Sequence, residues 1–176
     1  LGWRDWIIGI SYLWEGQVDI ASQKLRAALA RAEDESGRRN PISVMLASAL
    51  AVARWECDAT DEAAALLANR LDVLERRAPP DAIAMGYITA ARVAALARDE
   101  QRALDLLDQL LAVGQARRLP RLCIASIGER MRLHAQRGRG GLCSVVAKKL
   151  DSVAAGLDSH ELGLFGPVVA LQISLA

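Results

Sequence analysis

Residues 12–29 read YLWEGQVDIASQKLRAAL, and the meaning of this stretch decides the fold. Its apolar spacing is helical, with small residues Ala21 and Ala28 seven apart and Leu25 between them. Ala21 serves as a marker. Gly9 lies twelve before it, Tyr12 nine before, Gly16 five before and Asp19 two before; Leu25 and Ala28 lie four and seven after. The same frame recurs downstream. At Ala63 it selects Ala51, Arg54, Asp58, Asp61, Leu67 and Arg70. At Ala103 it selects Ala91, Ala94, Arg98, Gln101, Leu107 and Leu110. At Cys143 it selects Met131, His134, Gly138, Gly141, Ala147 and Leu150. The markers 21, 63, 103 and 143 are 42, 40 and 40 residues apart. A small residue recurs at the marker, where it lets two helix axes approach closely. Gly16, Asp58, Arg98 and Gly138 fall in the turn between paired helices.

The punctuation agrees with this frame. Asn40-Pro41 reads as an N-cap followed by proline at the first helical position. Pro79-Pro80-Asp81 and Leu119-Pro120 open later units in the same way. The spacing predicts helices at 3–14, 17–33, 41–56, 60–77, 81–97, 100–117, 120–137 and 141–156, with a ninth starting near Pro167. Short turns between them suit antiparallel neighbours. A single pair cannot bury its apolar face alone, so successive pairs must stack.

Composition points the same way. Of 176 residues, 52% are hydrophobic but only 4% aromatic, so Ala and Leu do most of the packing, as in closely packed helices. Val, Ile and Thr are too scattered to supply strands. A net charge of +1 gives no global bias toward nucleic acid or membrane. Cys57, Cys123 and Cys143 are an odd, widely spaced set without C-x-x-C, which argues against a disulfide framework or zinc site and for reduced thiols in the cytoplasm. The chain starts at Leu1 with no signal-peptide pattern, which suggests a piece of something longer. The longest uncharged stretch, 162–176, is short for a membrane span and holds Gly166-Pro167.

Gly9, Tyr12 and then A-x-x-x-L-x-x-A from Ala21 to Ala28 resemble the tetratricopeptide repeat. The period of about 40 exceeds the ~34 of the common form, which implies extended helices. The run from "DEAAALL" (61–67) through a proline before an alanine-rich helix, "RALDLLDQL" (102–110), "RLPRL" (118–122) and "ERMRL" (129–133) is similar to a particular group. It is the tetratricopeptide-like region of large ATP-dependent LuxR-type bacterial transcription regulators of the maltose-activator (MalT-like) kind. The resemblance covers roughly residues 10–140. It implies an all-α, right-handed superhelical solenoid of antiparallel helix pairs. The units would span about 1–38, 39–78, 79–118 and 119–158, with a partial unit at 159–176, in one domain. It also implies a non-catalytic sensor segment, whose groove receives an effector or a regulatory protein. In that family a nucleotide-binding domain precedes the repeats and a helix-turn-helix follows. This chain holds no G-x-x-x-x-G-K-[ST] phosphate loop and no recognisable DNA-reading motif, so DNA contact would need a domain outside it. The alternative is a general tetratricopeptide interaction scaffold unrelated to transcription.

In this frame the first helix of each pair lines the concave face. Trp6, Trp14, Trp55, Met85, Arg92 and Arg132 then project into a groove, where aromatics beside arginine suit a sugar, an aromatic ligand or a peptide carboxylate. The competing reading packs Trp3 and Trp6 into the core or against a neighbouring repeat. Residues 117–149 hold nine basic residues against Glu129 alone, a local net charge of +8. Residues 55–75 carry a local −5. An acidic partner or DNA backbone could use the first, but solvated faces and cations at helix C-termini are the favoured explanation. "RGRGG" (137–141) lacks the lysine and hydroxyl of a phosphate loop and falls at a turn. His134 and His160 have no Cys or carboxylate at ligand spacing on their helices, apart from Glu161 beside His160. No nucleophile motif surrounds any serine. Neither metal, cofactor nor catalysis is expected. Cys143 should be buried at a helix crossing and Cys57 near a turn. Val168, Val169, Leu171 and Ile173 would form an apolar face that favours self-association.

Overall fold

A computed structural model describes residues 2–155. The partial unit expected at 159–176 lies outside the described residues. Those described form helices joined by short turns, with no strand among them. They are α1 (Gly2–Trp14), α2 (Val18–Ser36), α3 (Pro41–Glu56), α4 (Thr60–Leu67), α5 (Leu71–Arg77), α6 (Pro80–Leu96), α7 (Glu100–Ala116), α8 (Pro120–Gln136) and α9 (Gly140–Ala155). The chain divides into two compact units, Leu1–Arg98 and Asp99–Ala176.

In the first unit α3 is the central element, packed by α1, α2, α4, α5 and α6. Its sequence explains this. From Ile42 to Ala53 it carries no charge and is apolar on all sides, so only complete enclosure satisfies it. The two serines inside that run are fully buried, and Ser48 Oγ donates to the Met45 carbonyl at 2.8 Å. In the second unit α8 packs against both α7 and α9.

The repeat frame orders the core. Marker residues Ala21, Ala63, Ala103 and Cys143 are all buried. So are the residues twelve before them, Gly9, Ala51, Ala91 and Met131. Within each unit the crossings of α1 with α2, α3 with α4 and α8 with α9 form where these columns meet. A Cβ built on Gly9 would lie 2.5 Å from Leu25 Cγ, so only glycine permits that approach of α1 to α2. Ala51, Ala63 and Leu67 form the equivalent cluster between α3 and α4. Met131, Val146 and Leu150 join Ile124 and Ile127 between α8 and α9.

The turns follow the same period. Gly16, Asp58, Arg98 and Gly138 all adopt positive φ, at 74, 58, 63 and 66 degrees. After them, Gln17 N–H donates to the Tyr12 carbonyl, Ala59 to Arg54 and Arg139 to His134, at 2.8 to 3.0 Å. These six-to-one bonds are the left-handed helix stop, in which one residue at positive φ lets the chain reverse. Asn40 caps α3 as expected, its side chain accepting from Ile42 N–H at 2.9 Å.

One expected helix is not continuous. The 60–77 segment breaks at Ala68–Arg70, where Asn69 has φ of 58 degrees. Asparagine tolerates the left-handed region because its short side chain bonds locally. The break frees carbonyls that an unbroken helix would satisfy, and arginines from the α2–α3 connection take them up. Arg38 Nη2 donates to the Ala65 carbonyl at 2.7 Å, and Arg39 Nη1 donates to that of Asn69. The consequence is the burial of Arg70, at a frame position filled by Ala28, Leu110 and Leu150 elsewhere.

Candidate functional site

The residues expected in the groove separate into different environments. Trp6 is only 4% exposed and belongs to the core, edge-on to Trp3 with ring centroids 5.8 Å apart. An open-groove role for Trp6 is therefore corrected: a buried helix face holds its ring. Trp55 is half-buried against the Ala51, Ala63 and Leu67 cluster, so it packs onto the crossing. Met85 and Arg92 are half-buried on α6. Arg132 lies in the second unit and donates from Nε to Glu129 at 2.8 Å. Trp14 alone of the six is fully presented, at 72% exposure.

Trp14 is not isolated. Trp3 (51% exposed) and Ile7 (50%) lie eleven and seven residues before it on α1, which places all three on one side of the helix. Several large exposed apolar side chains on one side of a helix are what interaction surfaces present. The ends of the stripe are anchored beneath: Asp5 accepts from Arg31 of α2 at 3.0 Å, and Lys24 Nζ of α2 stands 5.6 Å from the Tyr12 ring centre.

A second feature is the neighbourhood of Arg70. A cavity of about 360 Å³ lies between α2, α3 and α4, lined in part by Arg26, Glu33, Arg38, Glu62 and Arg70. The Arg70 side chain is 2% exposed and donates from Nη2 to Glu33, which is 33% exposed. Its Nε and Nη1 have no hydrogen-bond partner. Burial pulls the Arg70 pKa down, and the Glu33 hydrogen bond and charge push it back up. Glu62 is held below its ordinary pKa by the hydrogen bond from Arg26, aided by Arg54.

Part of the basic stretch 117–149 is engaged in ion pairs within the second unit. Arg137 and Arg139 both pair with Glu100, Arg130 with Asp108 and Arg132 with Glu129. Glu100 is held below its usual pKa, chiefly by its hydrogen bond with Arg139. His134 is buried, and its Nδ1 is without a partner. Burial lowers its pKa, with Arg130 and Arg139 acting in the same direction. Cys143 is buried, its Sγ donating to the Met131 carbonyl at 3.5 Å, and Cys57 is exposed. Burial raises the Cys123 thiol. Among the described residues no group of three or more His, Cys, Asp or Glu could hold a metal ion. No described helix is long and apolar enough to cross a membrane.

Sequence reasoning missed the Arg70 site, although a charge in an otherwise apolar column was its signal. It also missed the α1 stripe, because periodicity alone does not say which side of α1 is covered by α2 and α3.

No protein-family model matches the chain, and no curated protein matches it. Solved structures do. A Podosopora anserina protein described as a kinesin light chain with nearly identical tetratricopeptide-like repeats is 22% identical, at a TM-score of 0.63. The match covers 89% of this chain and 76% of that one. A point variant of the same protein matches at a TM-score of 0.62 with 22% identity, over 86% of this chain and 72% of that one. The fold is tetratricopeptide-like and all-α.

Proposed function

We propose that this chain is a non-catalytic interaction module that binds a partner protein, with the α1 stripe as its contact surface. The observation that carries the reading is Trp14, Ile7 and Trp3 standing exposed together on one helix face. Burying three such side chains contributes roughly 1.5–3 kcal/mol each before ordering costs, enough to anchor a peptide or helix. The tetratricopeptide-like fold supports the reading, since it multiplies helix surface around a plain core.

The finer placement is as the sensor segment of a LuxR-type transcription regulator in a bacterial cytoplasm. The resemblance of roughly residues 10–140 to that family supports it. Partner binding would there favour one arrangement of the longer protein and shift its population toward the active assembly. The full reading frame of the gene tests this placement: a phosphate-loop domain before the repeats and a helix-turn-helix after them are expected, and their absence leaves a general scaffold.

The binding claim is tested directly. Peptides are selected from a displayed random library on the immobilised chain, and their affinities measured for wild type and for a Trp14→Ala, Ile7→Ala variant. At least a tenfold loss, or about 1.4 kcal/mol, is expected. Selected peptides that bind the variant as tightly as wild type contradict the assignment.

A further inference from the structure

The cavity between α2, α3 and α4 uses none of the residues of the α1 stripe, and its chemistry points to a different ligand. Two observations meet there. The first is space: about 360 Å³ is within the range of small-molecule sites. The second is charge out of place. Arg70 lines this cavity, is 2% exposed, and leaves Nε and Nη1 without partners. A guanidinium carries five donors and cannot shed its proton, so an anion is the chemistry that completes it.

Among the described residues, Glu33 supplies the anionic oxygen that pairs with Arg70, through Nη2. Glu33 also lines the cavity and is 33% exposed, so it can swing toward solvent without burying its charge. Arg26 and Arg38 line the same space, while Leu29, Leu50 and Leu66 give it apolar walls. A second carboxylate, Glu62, is already present and held by Arg26 and Arg54. Two resident carboxylates oppose a phosphate dianion more strongly than a single negative charge.

We propose that this cavity binds a small carboxylate with an apolar body, and that Glu33 is a built-in carboxylate which the ligand replaces on Arg70. The ligand's oxygens take the guanidinium and its body lies against the leucines. No covalent step is involved. Competition between Glu33 and the ligand sets the affinity, so neutralising Glu33 strengthens binding while removing Arg70 abolishes it.

The test is a calorimetric and ¹H–¹⁵N titration of the chain with benzoate, with inorganic phosphate as the comparison anion. Wild type, Arg70→Leu and Glu33→Gln are titrated in parallel. Saturable benzoate binding is expected, about fivefold or more tighter in Glu33→Gln and at least tenfold weaker in Arg70→Leu, with phosphate weaker than benzoate throughout. Glu33→Gln keeps an oxygen for Arg70 while losing the charge, so it tests the competition independently of Arg70→Leu. The proposal is overturned by no saturable benzoate binding to wild type and Glu33→Gln up to about 10 mM, well above ordinary small-ligand affinities. It is equally overturned by unchanged or weaker binding in Glu33→Gln, by undiminished binding in a folded Arg70→Leu, or by phosphate binding as tightly as benzoate.

Discussion

Replacing Arg70 by leucine should not weaken the fold. Arg70 occupies the column filled by Ala28, Leu110 and Leu150, all buried and apolar. Leucine there would bury an apolar group worth about 1.5–3 kcal/mol, close to what the three methylenes of the arginine stem contribute at about 0.8 each. The polar side of the comparison decides the sign. Losing a charge-assisted bond to Glu33 costs about 1.5–3 kcal/mol, reduced because Glu33 is a third exposed and regains water. Against that, two unpartnered buried nitrogens disappear, each carrying a desolvation cost of about 1–3 kcal/mol. The expected result in urea denaturation at pH 7 is a change between about 0 and 2 kcal/mol toward stability, because the partner left behind, Glu33, is a third exposed and regains water instead of standing as a buried unpaired charge. Glu33→Ala should do the opposite. It strands the buried guanidinium, and a loss of about 1–3 kcal/mol follows once the 3–5 typical of fully buried pairs is discounted for Glu33 exposure. The double variant should sit close to Arg70→Leu. A loss above about 2 kcal/mol in Arg70→Leu, or none in Glu33→Ala, would refute the reasoning.

Two further outcomes test the frame and the electrostatics. Gly138 has φ of 66 degrees with nothing within 4 Å of a built Cβ, so Gly138→Ala should cost about 1 kcal/mol through the backbone alone. Arg98→Gly, at φ of 63 degrees, should stabilise by up to about 1 kcal/mol; equal and opposite behaviour at the shared position is readable by denaturant midpoints. His134 has a folded pKa below its ordinary 6.5, so on acidification the unfolded chain takes up this proton first. Stability should therefore fall as pH drops below 6.5, by at most about 1.4 kcal/mol per pH unit. His134→Gln should flatten the slope between pH 7 and the onset of carboxylate titration, and an unchanged slope counts against the assignment.

Much of this was legible in residue order. The frame set by Ala21 located the buried crossings, and Gly16, Asp58, Arg98 and Gly138 located the reversals, because helix pairs repeat the same steric problem at the same spacing. Helix ends at Asn40-Pro41 and Pro120 were likewise readable from capping chemistry. The break at Asn69 was not. Its neighbours Leu66, Leu67 and Ala68 are good helix formers, and the partners that stabilise the break, Arg38 and Arg39, are about thirty residues away. Exposure of individual aromatics was also beyond the pattern. Trp6 and Trp14 share a helix and a residue type, yet differ in exposure because periodicity alone does not say which side of α1 meets α2 and α3.

The measurement that bears most directly on the binding claim uses the four tryptophans as reporters. Their indole N–H signals are followed in a ¹⁵N-labelled chain as a selected peptide is added. The α1 stripe predicts that Trp14 and Trp3 shift saturably while Trp55, packed on the α3–α4 crossing, stays still. A shift at Trp55 with Trp14 unmoved would place the partner elsewhere and contradict the assignment.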